Sequence, residues 1–419
     1  MSKPNIVSNA GIYKLTWPEH DIAIRLDRLH DRSEAVSAEV SIKSSLPGQP
    51  SHLHQARLNL TSTTARKTLA AFLTERYGAS APWGDILEQM CVLVLEHYRT
   101  GEPPVELGKL PRREALRYRV NPLLLEGQAN MIYGAGQTGK SMMADYLAVL
   151  VDSPLNQNGL EAEPGNICII DYETDEEEVA ERVRMLQAGA GVETPTNIIY
   201  RYGRLPFADD IEQIQRIVVE HDIDLVIVDS LGMAAGGDQD KSTDLIRYFQ
   251  ALRTLKCTSL TIDHVNKEGK LYGNVYKFNE ARNIWECKAS AEPGTDILDI
   301  GLYHRKMNNG RLLKPLGFRF SFTGTQCVVS KQAVKDIPVL AAAMPLRLQL
   351  RDVLSRGALT TKQIYEELPV GDDGKRTTEE SIRTVLYRWG RGERPDFVRT
   401  YLEGQREQAW GLFTSSGVT

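Results

Sequence analysis

Cysteine is scarce and scattered in this 419-residue chain: Cys91, Cys168, Cys257, Cys287 and Cys327 stand alone, with no CxxC pair. That pattern excludes a disulfide framework or a zinc ribbon and fits reduced thiols in a cytoplasmic protein. Long apolar runs are also missing. No stretch approaches the ~20 residues of a membrane span, and the opening Met1-Ser2-Lys3-Pro4 lacks the apolar core of a secretory leader, so no membrane role is expected. Nor does one sign of charge dominate. Fifty Lys and Arg against 55 Asp and Glu leave a net charge of −5, so any contact with nucleic acid must come from local patches. His30, His52 and His54 lack metal-ligand spacing and read as ordinary polar positions. The length itself calls for two or three units, each with its own core.

Against this plain background one segment carries chemistry. Gly134-Ala135-Gly136-Gln137-Thr138-Gly139-Lys140-Ser141 is a complete GxxxxGK[ST] phosphate-binding loop. It lies between an apolar run at 130–133, which reads as a strand, and a helical pattern at 141–150. Backbone N–H groups of the turn and the positive end of the helix form an anion site for the β- and γ-phosphates of ATP. Lys140 reaches those phosphates and Ser141 ligates Mg²⁺. Asp229 closes the apolar run 224–229 and suits a metal-side acceptor next to Ser141. Position 230 is serine, so the acid often found after that aspartate is absent. Glu173, just beyond the strand 166–171, supplies the replacement: a carboxylate placed to orient and deprotonate the water that attacks the γ-phosphate, from a strand expected to adjoin the P-loop strand.

The organisation around this centre predicts an α/β protein. Residues 1–110 read as an N-terminal α+β domain, with strands at 11–17, 22–29 and 36–42 and helices at 63–77 and 83–98. Residues 111–330 alternate strands (166–171, 197–202, 224–229, 259–263) with helices (177–187, 210–220, 244–255), as a mostly parallel sheet requires. Antiparallel strands at 297–305 and 312–322 follow, around the turn Asn308-Asn309-Gly310, and then an extended piece at 327–329. After a linker at 331–344, residues 345–419 show helices at 346–355, 361–368 and 378–389 and strands at 397–402 and 408–413, the order of a winged helix.

In sequence order the motifs GAGQTGKS, IIDYET, LVIVDS, TIDHVNK and HRKMNNG resemble those of RecA-like P-loop ATPases, specifically the branch of RepA-type hexameric helicases of plasmids and their phage relatives. The resemblance covers residues 120–325. It implies a RecA-like core that assembles into a ring, with a hexamer expected, and that binds single-stranded DNA and translocates on it. It also implies that His264 and Asn266 sense the γ-phosphate and couple it to a DNA-facing loop, and that Lys306 reaches the nucleotide of the adjacent subunit. The arginine that normally accompanies such a lysine is replaced by Asn308, which leaves Arg305 or Arg311 to substitute or makes trans-activation weaker.

Two segments are candidates for DNA contact or for subunit contact. One is the small, flexible run 232–238. The other, 268–277, mixes Lys270 and Lys277 with Tyr272, a combination suited to phosphate neutralisation and base stacking. On the winged-helix pattern, Arg383 and Arg388 would meet the phosphates of duplex DNA, or the module contacts protein. Besides the translocating helicase, two further functions fit: a DNA-binding ATP switch without unwinding, and a KaiC-like signalling or remodelling ATPase that does not bind DNA.

Overall fold

The computed structural model describes the chain except for residues 1–2, 10, 33–34, 79–80, 102–103, 113–114, 238–241, 266–274, 309, 372–373, 375, 394, 402–407, 415–416 and 419. The N-terminal unit is an antiparallel meander of β1 (Asn5–Asn9), β2 (Ile12–Trp17), β3 (Ile22–Arg32), β4 (Ala35–Ser44) and β5 (His52–Asn59), backed by α1 (Thr63–Tyr77) and α2 (Trp83–Thr100). Alternation along the strands sends Leu15, Trp17, Ile22, Ile24, Val40 and Ile42 into one core with Trp83, Ile86 and Met90 of α2. Ser62 caps α1 by accepting from the Ala65 N–H.

The central unit begins with β6 (Tyr118–Asn121), β7 (Leu124–Leu125), β8 (Ala129–Gly134), α3 (Lys140–Asp152), β9 (Glu161–Ala162), β10 (Asn166–Asp171), α4 (Glu176–Ala190) and β11 (Ile199–Tyr202). It continues through α5 (Ile211–Glu220), β12 (Ile223–Asp229), α6 (Leu231–Ala234), α7 (Ser242–Thr254), β13 (Thr258–His264), α8 (Val275–Glu280) and β14 (Asn283–Ser290). Three antiparallel strands, β15 (Ile297–Met307), β16 (Leu316–Thr323) and β17 (Gln326–Lys331), complete a nine-stranded sheet in the order β11-β10-β12-β13-β8-β14-β15-β16-β17. The six strands from β11 to β14 are parallel, and helices cover both faces: α3 and α4 one, α5 to α7 the other. This double cover explains why strands such as Ile223–Asp229 are apolar almost throughout. The expected α/β core with an N-terminal antiparallel unit is therefore present.

One expectation about the sheet needs correcting. β10, which leads to Glu173, does not adjoin the P-loop strand β8; β12 and β13 stand between them. β10 adjoins β12 instead, with Asp171 in register with Asp229. Both strand ends therefore open at the same edge as the P-loop.

The N-terminal sheet docks on α5 by charge. Arg216 donates to Asp27 at 2.6 and 2.9 Å and to Glu39 at 3.1 Å, Arg28 meets Glu212 at 3.0 Å, and Arg25 pairs with Glu220. In the connecting segment α9 (Pro338–Ala342) packs Leu340 against Tyr303 of β15, and the C-terminal unit consists of α10 (Leu346–Leu354), α11 (Thr361–Glu367), α12 (Glu379–Trp389), β18 (Phe397–Tyr401), β19 (Gln408–Thr414) and β20 (Gly417–Val418). Its core unites Leu350, Leu354, Ile364, Ile382, Leu386, Phe397 and Trp410, and a complete capping box between Thr360 and Gln363 starts α11.

Candidate active site

The P-loop runs from the end of β8 into α3, and its glycines have separable reasons. A Cβ on Gly134 would lie 2.3 Å from the Cys287 carbonyl oxygen, and one on Gly139 2.7 Å from Ile300 Cδ1. Gly139 also takes φ +74° as it caps α3, in the left-handed region that favours glycine. A Cβ on Gly136 would meet no protein atom within 4 Å, so the protein interior does not demand glycine there; close approach of a phosphate does. Gln137 holds φ +61°. The Ala135 carbonyl accepts from Thr138 Oγ1 at 2.9 Å and Lys140 Nζ at 2.6 Å, and the Thr138 carbonyl accepts from Cys287 Sγ at 3.3 Å.

Lys140 is 4% exposed. Burial pushes its ammonium below the usual lysine range, against the opposing pull of Asp229, Glu173 and Asp263. On the facing strand Asp229 is pushed up to about 6, mainly by burial; a hydrogen bond with Ser141 pulls it back, while the nearby Asp171 and Glu173 carboxylates raise it further. Ser141 hydroxyl and Asp229 carboxylate are hard oxygen donors that fit Mg²⁺, which takes one or two protein groups and completes its shell with phosphate oxygens and water. Among the described residues no three His, Cys, Asp or Glu side chains converge as a metal site of their own.

A tight turn after β10 aims Glu173. The N–H groups of Glu173 and Thr174 both donate to Asp171 Oδ1, at 2.7 and 2.9 Å, an Asx turn that re-aims the chain at the strand end. The Tyr172 N–H donates to the Asp229 carbonyl at 2.6 Å, tying this turn to the metal-side strand. Glu173 Oε1 then accepts from Ser230 Oγ and lies 3.5 Å from His264 Nε2. His264 lowers the Glu173 carboxyl most, with Ser230 and Lys140 adding and burial opposing, to about 2. The structure thus brings Glu173 and His264 together, and adds Ser230, which the sequence marked only by the acid it lacks.

Beneath this group lies a pair not foreseen from the sequence. Asp145, one helical turn after Ser141 on α3, accepts from Arg182 Nε of α4 at 2.7 Å. Burial pushes Asp145 up to about 7 against the pull of Arg182, and Asp229 and Asp171 add to the rise. Replacing Arg182 with Met strands that carboxyl, so a destabilisation of about 3–5 kcal/mol is expected in denaturant unfolding at pH 8. Its sign with pH is fixed. A carboxyl raised above its unfolded value contributes stability at low pH and loses it as pH rises, so the deficit shrinks between pH 8 and 6 as Asp145 takes up a proton. A deficit that does not vary with pH would remove Asp145 as its source.

Other expected positions fare differently. Lys306 Nζ donates to the carbonyls of Phe278, Asn279 (2.9 Å) and Ala281 (2.7 Å), closing the end of α8 within its own chain. Arg305 donates to Glu286 at 2.7 Å, whereas Arg311 is exposed and has no ion pair among the described residues. Lys277 is corrected: it is 0% exposed and pairs with Asp263 at 3.0 Å, so its ammonium faces the core and not DNA. Asn266, Lys270 and Tyr272 lie outside the described residues. In the run 232–238, α6 takes up the first part and Met233 is exposed. Arg383 pairs with Glu379 at 3.0 Å on α12, and Arg388 is exposed at its end.

A family model described as an AAA domain matches residues 100–270. No curated protein matches the chain. Among solved structures, a KaiC-like protein from the hyperthermophilic archaeon Pyrococcus horikoshii OT3 is 17% identical, with a TM-score of 0.37 over 50% of this chain and 93% of that one. No helix among the described residues is long and apolar enough to cross a membrane. The P-loop and the strand order give the central unit a mostly parallel, RecA-like α/β core, and the match to an AAA domain overlaps it.

Proposed function

We propose that this protein hydrolyses ATP with Mg²⁺ and couples the hydrolysis to single-stranded DNA, in the manner of the RepA-type helicase branch, as a ring of like subunits in which a hexamer is expected. One observation carries the reading: Glu173 is aimed by the β10 turn and held by Ser230 and His264 at the strand edge where Lys140 and Ser141 lie. In this reading the P-loop N–H groups and Lys140 bind the β- and γ-phosphates. Ser141 and Asp229 hold Mg²⁺, which neutralises charge on the phosphates when bound. The arriving γ-phosphate is a like charge for Glu173, raising its basicity from the depressed value of the nucleotide-free protein. Glu173 then orients the attacking water and accepts its proton, and His264 reports whether the terminal phosphate is present.

Arg383 and Arg388, exposed on α12, and Arg399, stacked 4.5 Å over Tyr387, are the basic groups this unit offers to duplex DNA or a protein partner. A second reading, a DNA-binding ATP switch that does not unwind, is favoured by the residues around Lys306. Asn308 replaces the arginine, and Lys306 is engaged by three carbonyls of its own chain. ATPase rates with and without single-stranded DNA, followed by strand displacement on a forked duplex, separate the readings. Stimulation with unwinding supports the helicase, and stimulation alone supports the switch. Hydrolysis indifferent to DNA would instead favour a KaiC-like signalling ATPase.

A further inference from the structure

Among the described residues, the ion pair between Asp263 and Lys277 is the most deeply buried one outside the phosphate site itself, with side-chain exposures of 1% and 0%. Lys277 Nζ lies 3.2 Å from Oδ1 and 3.0 Å from Oδ2. Taking two charges out of water costs several kcal/mol per ion, and apolar residues of like volume commonly serve a core at least as well. A role beyond packing is therefore worth seeking, and the position of Asp263 supplies one. Asp263 is joined by its own peptide bond to His264, whose backbone N–H works against the rise that burial imposes on the Asp263 carboxyl, and Asp263 lies close enough to Lys140 to raise that ammonium. His264 is the residue whose ring meets Glu173.

The chain of contacts runs outward as well. Lys277 belongs to α8, whose far end is closed by Lys306 of β15 and whose Glu280 pairs with Arg253 of α7. Three cations thus fix one short helix: its own Lys277 to the sensor strand β13, and Lys306 and Arg253 to its C-terminal end. β14, which follows α8 directly, presents the Cys287 carbonyl that abuts Gly134 and the thiol that donates to Thr138.

We propose that Lys277 is a positioning residue of the hydrolytic centre: through Asp263 it holds the His264 backbone so that the imidazole meets Glu173, and α8 thereby sets whether Glu173 is competent. This deepens the ATPase reading and rests on it, yet its first test needs no turnover. The Glu173 carboxyl is followed by ¹³C NMR between pH 7 and 4 in nucleotide-free protein, with Glu173→Gln assigning the signal. Wild type is expected to show no titration in that range, since His264 is the largest cause of its depression to about 2. In Lys277→Met, and in the apolar replacement Lys277→Met with Asp263→Leu, the titration should enter the range as Glu173 moves toward its ordinary 4.5.

Hydrolysis by the same variants should fall about 10- to 100-fold in kcat, the scale of a misplacement near 1 Å, with KM for ATP altered by less than about threefold. The double variant removes no net charge, and its thermal midpoint shows whether the fold survives. A purely structural pair predicts that the double variant recovers both stability and turnover. A folded variant that keeps an untitrated Glu173, or keeps wild-type kcat, overturns the proposal. Absence of hydrolysis in wild type would count against the ATPase reading alone, because the carboxyl titration still decides the positioning.

Discussion

Glu173→Gln binds ATP about as well as wild type and hydrolyses it roughly 10²–10⁴-fold more slowly, the range expected when a positioned general base is removed. The amide keeps the shape of the side chain and can still accept from Ser230. What it loses is the negative charge that draws the water proton and that pairs with His264. Binding is expected to persist because the phosphate contacts come from the P-loop and Lys140, between β8 and α3, whereas Glu173 follows β10. Single-turnover hydrolysis and a separate binding titration measure the two halves. Wild-type turnover in this variant removes Glu173 from the mechanism; lost binding reassigns it to the nucleotide pocket. At neutral pH the variant is expected to lose the modest stability that the half-exposed carboxylate gains from His264 and Ser230. The depressed carboxyl contributes stability above its ordinary 4.5, and that contribution fades only as pH falls toward 2.

How much of this centre was legible from residues alone depends on whether the signal was local. The P-loop is contiguous, and its strand and helix announce themselves by apolar periodicity, so β8 and α3 fall within one or two residues of their expected bounds. The parallel strands β10 and β12 read equally well because both faces are covered. Strand order is not local. Nothing in the run 166–173 says that two strands separate β10 from β8, and the register of Asp171 with Asp229 only appears once the sheet is assembled. β14 escaped notice because Asn283–Ser290 carries Glu286 and Lys288, charges that in the fold are answered by Arg305 and by each other. The edge strands β1 and β5 are polar on exposed positions and gave no clean alternation.

Lys277 shows the same limit for chemistry. Beside lysines and tyrosines in sequence it resembles a nucleic-acid contact, but the helix it sits on turns its ammonium onto Asp263. Asp145 could have been suspected from its spacing of four from Ser141, which places both on one side of α3. Its partner Arg182 lies on the next helix, 37 residues away, and no spacing rule reaches it.

Lys140→Met loses nucleotide affinity by roughly 30-fold to several thousandfold, yet its nucleotide-free form unfolds no more easily than wild type. The first half follows from truncating one partner of a charge-assisted contact, worth about 2–5 kcal/mol. Without the ammonium, an incoming triphosphate faces Asp229 and Glu173 with one compensating cation fewer. The second half follows from burial. A lysine whose folded value lies below its unfolded one is charged at a cost to the native state, and its ammonium donates to the neutral Ala135 carbonyl. Methionine keeps most of the apolar stem and removes the charge. Wild type should therefore gain about 2.7 kcal/mol at ATP concentrations a hundredfold above its Kd, while the variant should gain about 0.9 kcal/mol or less at the same concentration. Differential scanning with and without ATP and Mg²⁺ reads both quantities at once. A variant that retains the ATP-dependent rise in Tm shows that the turn at 134–141 does not bind phosphate through Lys140, and a variant several degrees less stable without nucleotide shows that Lys140 serves the fold more than the ligand.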